Sequence, residues 1–370
     1  MREQMKTDRI ARAAFLLLAL LVVCFPVFGQ DTFDGVERIV AVGDLHGDFD
    51  ACTGILRSAN LIDKNNAWIG GKTHLVQTGD ILDRGVETRK LIDLLMRLEV
   101  QANKAGGRVH VLLGNHEVMN IRGDLRYVSA GEYDSYKSPD AEALQHRLFE
   151  SDTTAEQRKD GDYRRTWEKQ HPLGWVERWI AFSEAGVYGK WLRRRNTVIR
   201  INGVLFLHGG ISPKYASLDI RDINERVRAE LLKPPAEARI GIVVDPEGPL
   251  WYRGLAQSPE PDLAGHVDDV LAAFRVQHLV IAHTPTPGIV MPRFGGKVIM
   301  IDVGLSEAFG AGQACLEFEG GKPSAIHRGK ALELPMDADL AAYLKAAEDL
   351  EPPNSLLRRY MDRLTKSTGQ

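Results

Sequence analysis

The chain has 370 residues, of which 44% are hydrophobic and 26% charged, and its formal net charge is −3 at neutral pH. These values are ordinary for a soluble globular protein and exclude a disordered or collagen-like chain. The mild negative charge gives no attraction to nucleic acid or to an acidic membrane, so no nucleic-acid partner is expected. Three cysteines are too few for a disulfide scaffold or a Cys-rich zinc module.

The first segment of the chain has the layout of a targeting sequence. Four basic residues occur between Arg2 and Arg12, and an apolar run extends from Ala13 to Phe25. This pattern predicts a cleavable signal peptide over residues 1–29, with export to the periplasm or secretion and no stable membrane association afterwards. A membrane anchor is the alternative, although a span needs roughly 20 apolar residues and this run is shorter. Lipoprotein processing at Cys24 is a further alternative, disfavoured because Val23 is not a small residue.

Cleavage at this point would remove four basic and two acidic residues and take the net charge from −3 to −5. It would leave two cysteines, Cys52 and Cys315. A disulfide between them is compatible with an oxidising compartment. Two buried thiols are favoured, because the sequence does not give the separation that a disulfide requires.

Short β-branched runs alternate with helical segments in the first part of the mature chain. Strands are predicted at 38–42, 73–78 and 109–113, and helices at 49–59 and 86–105. A spacing of about 35 residues between strands indicates βαβ crossovers and a parallel sheet.

Residues 123–196 interrupt this alternation. The segment is polar and helical and contains four of the six tryptophans. We predict a helical insertion or cap here. Trp175, Val176, Trp179 and Ile180 fall on one helical stripe, which is expected to pack against the main body rather than to form a platform for a stacked ligand.

Strand character returns at 197–201, 204–207, 278–282 and 297–301. From Met336 onward the sequence is mostly helical. The prediction is therefore one α/β domain over residues 30–335, which contains the insertion, followed by a helical tail over residues 336–370.

Five of the predicted strands end in short polar motifs. The first three are Gly43-Asp-Leu-His-Gly-Asp48, Gly79-Asp-Ile-Leu-Asp-Arg-Gly85 and Gly114-Asn-His-Glu117. Later strands end in Leu207-His-Gly-Gly210 and Ile281-Ala-His-Thr284. Because ligands bind outside the carboxyl ends of strands in open α/β sheets, the motifs are expected to meet at one edge.

The residue types in these motifs indicate a metal site. The candidate ligands offer carboxylate, imidazole and amide groups and no thiolate; they are Asp44, His46, Asp80, Asn115, His208 and His283. This set suits two divalent ions such as manganese, iron or zinc better than a structural zinc. A carboxylate such as Asp80 can bridge two ions roughly 3.5–4 Å apart, a spacing that suits in-line displacement at phosphorus. Each motif alone is a weak signal, since Asp-x-His after a strand is more often a turn, but the five together are strong.

The motif set resembles that of the calcineurin-like metallophosphoesterases, and within them the phosphoprotein phosphatase type. Gly114–Tyr127, His208–Pro213 and Gly248–Gly254 are similar to segments of the Shewanella-like protein phosphatases. The resemblance extends from about Arg38 to Leu305. It implies an α/β fold in which two sheets form a sandwich flanked by helices, with a helical insertion after the third strand.

The resemblance also implies roles for individual residues. The first ion would be held by Asp44, His46 and Asp80, and the second by Asp80, Asn115, His208 and His283. A hydroxide formed from a water shared by the two ions would attack phosphorus.

The remaining roles concern the proton and the phosphate. His116 would be the general acid for the leaving oxygen, and Asp83 would orient it. Arg84 and Arg253, with the Asn115 amide, would bind the phosphate oxygens, for which planar arginine is well suited. Whether Arg122, Asp124 and Tyr127 line the pocket is left open.

The resulting prediction is a metal-dependent phosphomonoesterase that acts on a phosphorylated protein, peptide or small molecule. The favoured substrate is a phosphoprotein with phosphate on serine, threonine or tyrosine. One alternative is a hydrolase of dinucleoside polyphosphates or other small phosphate esters. A non-catalytic metal-binding platform is a second alternative, disfavoured because no ligand or acid of the motif set is missing. Metal identity, natural substrate and oligomeric state stay open.

Overall fold

Two sheets of six strands each form the centre of the protein in the computed structural model, which describes residues 30–234, 240–336 and 340–368. In chain order the strands are β1 (Thr32–Phe33), β2 (Arg38–Val42), β3 (His74–Gln77), β4 (Arg108–Val111), β5 (Val198–Ile201), β6 (Val204–Leu207), β7 (His278–Ile281), β8 (Met291–Arg293), β9 (Val298–Met300), β10 (Ala314–Glu319), β11 (Lys322–His327) and β12 (Lys330–Glu333). The signal peptide predicted for residues 1–29 lies outside the described residues and stays a prediction. Among the described residues, no helix combines the length and apolarity needed to cross a membrane.

The helices fall between and around these strands. They are α1 (Phe49–Ser58), α2 (Thr88–Lys104), α3 (Asn115–Ile121), α4 (Ala130–Asp134), α5 (Ala141–Asp152), α6 (Ala155–Lys159), α7 (Gly161–Gln170), α8 (Trp175–Phe182), α9 (Val187–Leu192), α10 (Ile220–Leu231), α11 (Gly254–Gln257), α12 (Glu260–Phe274), α13 (Leu340–Glu348) and α14 (Leu356–Thr368). Helices α4 to α9 lie within the insertion, residues 123–196, and a short 3-10 turn covers Glu307–Phe309.

Each sheet has three neighbouring parallel strands. Sheet I has the order β12-β11-β10-β2-β3-β4, and sheet II has the order β1-β5-β6-β7-β9-β8. Strands β2, β3 and β4 are parallel in the first, and β6, β7 and β9 in the second. Parallel neighbours point their carboxyl ends the same way, so three strand ends of each sheet lie together.

The sandwich arrangement is explained by the alternation of side chains along the strands. In β6, Phe206 belongs to the core that includes sheet I, and its ring lies 6.5 Å from that of Phe318 in β10. Leu205 and Leu207 belong to a second core with α10 and α12. Successive side chains of a strand point to opposite faces, so sheet II packs on sheet I with one face and on helices with the other. The predicted two-sheet α/β fold flanked by helices is therefore confirmed.

The core that includes sheet I contains both cysteines of the predicted mature chain and several side chains of the predicted C-terminal tail. Cys52 and Cys315 are free and buried, as favoured from the sequence, and burial raises the pKa of each thiol to about 12. In the C-terminal tail, Tyr343, Leu344 and Leu357 are buried in the same core as the strands of sheet I.

The prediction that the tryptophan stripe packs against the main body is wrong for Trp179 and Ile180, whereas Trp175 and Val176 are half-buried. Trp179 and Ile180 are 57% and 49% exposed, whereas Arg178 and Phe182 form the buried face of α8. The helix buries the arginine because the insertion supplies a carboxylate for it, Glu132, at 2.7 Å. A paired and hydrogen-bonded charge can be buried where an unpaired one cannot.

Candidate metal centre and active site

Six strand ends deliver polar side chains to one edge of the sandwich. In sheet I, β2, β3 and β4 are followed by Asp44, Asp80 and Asn115; in sheet II, β6, β7 and β9 are followed by His208, His283 and Asp302. All six side chains are buried. The two sheets therefore contribute equally to a single cluster. Five of these residues are ligands predicted from the sequence, Asp302 was not predicted, and the sixth predicted ligand, His46, lies 3.8 Å from Asp44 and 3.9 Å from Asp80.

Asp80 lies at the centre of this cluster. Its Oδ2 is 3.3 Å from Nε2 of His208, 3.8 Å from Nε2 of His116 and 3.9 Å from Nε2 of His46. Its Oδ1 accepts a hydrogen bond from the backbone N–H of His116 at 3.0 Å. One carboxylate thus faces three imidazoles, the arrangement expected of a group that bridges two ions.

Two of the imidazoles are oriented by backbone carbonyls. Nδ1 of His46 donates to the Leu82 carbonyl at 3.1 Å, and Nδ1 of His208 donates to the Thr78 carbonyl at 3.0 Å. The other ring nitrogen, Nε2, is then directed towards Asp80, at 3.9 Å for His46 and 3.3 Å for His208. Histidines that bind metals are commonly held in this way, by a hydrogen bond from the other ring nitrogen.

The backbone around the cluster is held in uncommon conformations. His46, Asp80 and His283 have φ angles of 43°, 55° and 65°, in the left-handed region that residues with a Cβ rarely adopt. Such conformations persist where the surrounding structure enforces them, and they cluster at functional sites.

Glycine is required where two strand ends approach each other. A Cβ on Gly114 would lie 2.2 Å from Oδ1 of Asp80, and a Cβ on Gly79 would lie 2.4 Å from the backbone nitrogen of Gly114. Glu117, fully buried, fixes the same approach by accepting backbone hydrogen bonds at 2.8 Å from Asp80 and from Gly114. The glycines and Glu117 therefore fix the positions of Asp80 and of the chain that carries Asn115, two of the candidate ligands.

The cluster carries more negative charge than its own side chains neutralise. Burial, followed by the carboxylates of Asp302 and Asp80, raises the pKa of Asp44 well above its usual range. Burial also raises the pKa of Asp302 to about 6. Buried carboxylates that crowd together need a cation or a proton between them.

The imidazoles fit the same requirement. Burial lowers the pKa of His46 to about 4 and that of His283 to about 2, so both rings are neutral and able to bind a cation. Nε2 of His283 is buried without a hydrogen-bond partner among the described residues. Two groups of side chains bring their ligand atoms within 4.8 Å of one another: His46, Asp80 and His116, and Asp80, His208 and His283. The donor set thus fits two divalent ions that share Asp80.

His116 and Asp83 form a hydrogen-bonded pair beside the cluster. Nδ1 of His116 lies 2.5 Å from Oδ2 of Asp83, and both side chains are buried. Burial opposes the charge on the imidazole, but Asp80 and the hydrogen bond that Nδ1 donates to Asp83 outweigh it and raise the pKa of His116 to about 9. The pair therefore places a protonated nitrogen next to the metal ligands.

Arg84 lies at the surface of the site between aromatic rings. Its guanidinium is 3.9 Å from the ring centroid of Tyr127 and 5.8 Å from that of Phe309. The Phe309 ring is stacked on His46 at 4.8 Å, and the Tyr127 ring is 5.2 Å from that of His116. Cation–π contacts of this kind restrain an arginine without using its hydrogen-bond donors.

Arg253 lies on the opposite side, against His283. Its Nη1 donates to the His283 carbonyl at 2.6 Å and to Oγ1 of Thr284 at 3.0 Å. The guanidinium is thus partly engaged by the loop that carries a predicted metal ligand.

A groove of about 850 Å³ opens beside the cluster. Its lining includes His46 and Arg84 together with four acidic residues, Asp48, Asp50, Glu87 and Glu307. Asp124, which the sequence left open as a pocket residue, is not among the residues that line this groove and forms a salt bridge with Arg126 at 2.7 Å.

Sequence reasoning missed three residues of the site: Asp302, Asn120 and Phe309. Asp302 had a detectable signal, because it follows a predicted strand in the same way as Asp44 and Asp80 do. Asn120, whose Nδ2 is 3.0 Å from Oδ1 of Asp83, lies one turn after His116 and belongs to no strand-end motif. Phe309 lies in the 3-10 turn of a loop, where nothing in the local pattern indicates its contact with His46.

Comparison with known proteins gives concordant matches. Residues 37–287 match the family model described as calcineurin-like phosphoesterase. An uncharacterised protein of Schizosaccharomyces pombe is 33% identical over 306 residues, covering 80% of this chain and 82% of that protein. Shewanella-like protein phosphatase 2 of Arabidopsis thaliana is 30% identical over 293 residues, covering 75% of this chain and 74% of that protein. The solved structure of a cold-active protein-tyrosine phosphatase from a psychrophilic Shewanella species superposes with a TM-score of 0.65 at 30% identity, covering 83% of each chain.

Proposed function

The chain belongs to the calcineurin-like phosphoesterase family of hydrolases, and from that premise we propose that it removes phosphate from phosphorylated protein or peptide side chains, at serine, threonine or tyrosine. The observation that carries the proposal is the His116–Asp83 pair at 2.5 Å, placed with Nε2 of His116 3.8 Å from Asp80 in the candidate metal cluster. A proton donor beside a two-ion site is what cleavage of a phosphate ester requires.

In this proposal, Asp44, His46 and Asp80 hold one divalent ion, and Asp80, Asn115, His208 and His283 hold the other. When bound, the ions supply positive charge that lowers the pKa of water and stabilises negative charge on the phosphate oxygens. The chain supplies the remaining chemistry. Asp302 interacts with Asp44 and adds to the negative charge that attracts the ions.

His116 donates its Nε2 proton to the oxygen of the leaving side chain. Asp83, hydrogen-bonded to Nδ1, holds the ring in place and favours its protonated form. As the oxygen of a water molecule forms a new bond to phosphorus, the phosphorus–oxygen bond to the side chain breaks and negative charge develops on the leaving oxygen. The proton from His116 neutralises that charge. An ester whose alcohol is weakly acidic needs this proton most.

Arg84 binds the non-bridging phosphate oxygens through the donors of its planar guanidinium. Its cation–π contact with Tyr127 restrains the group at the mouth of the site. Arg253 assists from the other side, where its bonds to the His283 carbonyl and Thr284 limit the donors that it offers to substrate.

A protein or peptide substrate is favoured by the groove beside Arg84, whose volume of about 850 Å³ exceeds what a phosphate group occupies. Relatives named as protein phosphatases support the same choice. The four acidic residues of the groove, Asp48, Asp50, Glu87 and Glu307, would repel a polyphosphate, which carries several negative charges.

A phosphate-release panel on metal-reconstituted protein tests the proposal. Peptides with phosphoserine, phosphothreonine or phosphotyrosine are compared with dinucleoside polyphosphates at equal concentration, and the His116→Asn variant reports background release. His146→Asn is the matched control, because the His146 side chain is 58% exposed and lies in the insertion. We expect higher kcat/KM on phosphopeptides, lost in His116→Asn and kept in His146→Asn. A strong preference for dinucleoside polyphosphates would contradict the proposed substrate class.

A further inference from the structure

We propose that the helical insertion positions the general acid, through a buried chain of hydrogen bonds in which Arg178 and Glu132 hold Asn120, Asn120 holds Asp83, and Asp83 holds His116. The inference rests on the proposed function, because it assumes that His116 protonates the leaving group. Asn120 and Arg178 are positioning residues: their side-chain hydrogen bonds run to Asp83, the His116 carbonyl, Glu132 and each other, and they act through Asp83.

Asn120 links the His116–Asp83 pair to the insertion. Its Nδ2 donates to Oδ1 of Asp83 at 3.0 Å and to the backbone carbonyl of His116 at 2.9 Å. Its Oδ1 accepts from Nη2 of Arg178 at 2.6 Å. With acceptors at one end and a donor at the other, only one orientation of the amide satisfies all three bonds.

Arg178 comes from α8 and is 1% exposed. Its Nε donates to Oε1 of Glu132 at 2.7 Å, and its guanidinium lies 4.4 Å from the ring centroid of Phe182. The other oxygen of Glu132 accepts from Oγ1 of Thr88, the first residue of α2, at 3.2 Å. The guanidinium of Arg178 is therefore fixed by the salt bridge with Glu132, by the ring of Phe182 and by the hydrogen bond to Asn120.

The insertion supplies its own counter-ion for a buried acid. Glu132 is fully buried, and the guanidinium of Arg178, also buried, lies 2.7 Å from its carboxylate. Burial raises the pKa of Glu132, with Arg178 acting against that shift and Asp83 adding to it. Arg178 is thus the counter-ion that lets a second buried acid exist close to Asp83.

The consequence for Asp83 is that its two oxygens have different partners. Oδ2 meets His116 and Oδ1 meets Asn120, so the plane of the carboxylate cannot rotate without breaking one of the two bonds. Removal of Asn120 would release Oδ1 and also the donor to the His116 carbonyl. The imidazole would then lose its fixed direction, while Asp80 and the other candidate ligands would keep their own hydrogen bonds.

A stabilising role alone does not account for this arrangement. Replacement of a buried ion pair by apolar side chains of similar volume is often neutral or stabilising, so such a pair is weak evidence for stability. What the Arg178–Glu132 pair adds is a directed donor at the far end of Asn120. Misplacement of a catalytic group by about 1 Å can reduce a rate by roughly 100-fold.

The test measures how the rate depends on the leaving group. Two variants are used: Asn120→Ala, and the double variant Glu132→Gln/Arg178→Met, which removes both charges and leaves neither unpaired. Substrates are p-nitrophenyl phosphate, whose leaving group needs little protonation, and phenyl phosphate and phosphoserine peptide, whose leaving groups need more. Arg195→Met is the matched control. Arg195 lies near the C-terminal end of the insertion and forms an ion pair with Glu99, not with a residue of the chain that leads to His116.

We expect both variants to lower kcat on phenyl phosphate and phosphoserine peptide by about 10-fold or more, and on p-nitrophenyl phosphate by less than about 3-fold, since general acid catalysis contributes about 10²- to 10⁴-fold in total. KM and metal content should be unchanged, and Arg195→Met should behave as wild type on all substrates. In an Asp83→Asn background, Asn120→Ala should add little, because residues that act through one another are not additive.

Equal losses on all three substrates, or no loss, would overturn the inference. Thermal unfolding checks that each variant is folded, and Asn120→Ser replaces Asn120→Ala if the latter does not fold. The outcome for the proposed function is read separately from His116→Asn. If that variant shows no dependence on the leaving group, the general acid itself is wrong; if it does and Asn120→Ala does not, only the positioning role is wrong.

Discussion

The candidate metal cluster and the helical insertion both bury acidic side chains within reach of the His116–Asp83 pair, yet they neutralise them differently. In the cluster, Asp44, Asp80 and Asp302 crowd together beside imidazoles, two of which burial keeps neutral. In the insertion, Glu132 has its own cation, Arg178, at 2.7 Å. The first region therefore needs ions from solution, whereas the second is complete within the chain.

Because of this difference, we expect the cluster to respond to metal removal and the insertion to respond only to substitution. Metal removal should affect the strand-end cluster and leave the insertion intact, since no group of the Arg178–Glu132 pair belongs to the cluster. Substitution within the insertion should change the orientation of the His116 imidazole and the stability of the protein, while the metal content stays constant. Four predictions test how far the two regions are independent.

Replacement of the central carboxylate should have the largest effect. In Asp80→Asn we expect phosphatase activity to fall by roughly 10³-fold or more, because metal ions supply several kcal/mol of charge stabilisation in the transition state. Wild-type protein should lose thermal stability on chelation, since ions that bind only the folded state add about 2.7 kcal/mol at 100 times Kd. Calorimetry with and without chelator, together with metal analysis, measures both effects.

Asp124→Asn serves as the control for that substitution, because Asp124 is bound by Arg126 outside the cluster. It should keep both activity and the response to chelator. A chelator-induced shift in the melting temperature of Asp80→Asn as large as that of wild type would show that Asp80 does not hold the ions.

Substitutions in the His116–Asp83 pair should cause the next largest loss of activity. We expect Asp83→Asn and His116→Asn to reduce kcat by about 10²- to 10⁴-fold, the usual contribution of general acid catalysis. Metal content should stay near that of wild type, because neither side chain belongs to the proposed ligand set. Steady-state kinetics with metal analysis on the same samples decides the matter, and full activity in either variant would remove the assigned role.

Loss of the ion pair should chiefly reduce stability. Arg178→Met leaves Glu132 buried without its cation, which typically costs about 3–5 kcal/mol. The double variant Glu132→Gln/Arg178→Met should recover most of that loss, because no uncompensated charge remains. Urea unfolding gives the free energies. A double variant as unstable as the single one would mean that packing of the arginine on Phe182, and not its charge, holds the insertion.

The strand-end region was largely predictable from the sequence, and the insertion was not. A ligand such as Asp44 or His208 directly follows a β-branched run and adjoins glycine, so its position is encoded within a few residues of chain. Asp302 has the same placement and was missed because it lies outside the recognised motifs. Strands β11 and β12, with sequences KPSAIH and KALE, were missed because neither shows β-branched enrichment or clean alternation.

The insertion depends on contacts between residues that are distant in sequence. Asn120 and Arg178 are separated by 58 positions, and neither belongs to a pattern of helical or strand periodicity that would connect them. An arginine between tryptophans is ordinarily interpreted as solvent-facing. Only the carboxylate of Glu132, supplied by another helix, makes the opposite orientation favourable.

The smallest effect is expected at the exposed tryptophan of the same helix. Trp179→Ala should change the free energy of unfolding by less than about 1 kcal/mol, because surface substitutions rarely have larger effects and Trp179 is 57% exposed. Phe182→Ala, three residues further along, should cost about 3–5 kcal/mol, as does removal of a buried aromatic ring. Urea unfolding of the two variants compares the faces of α8 directly. If Trp179→Ala were the more destabilising, the apolar stripe would be the packed face after all, and Arg178 would not be held where it can reach Asn120.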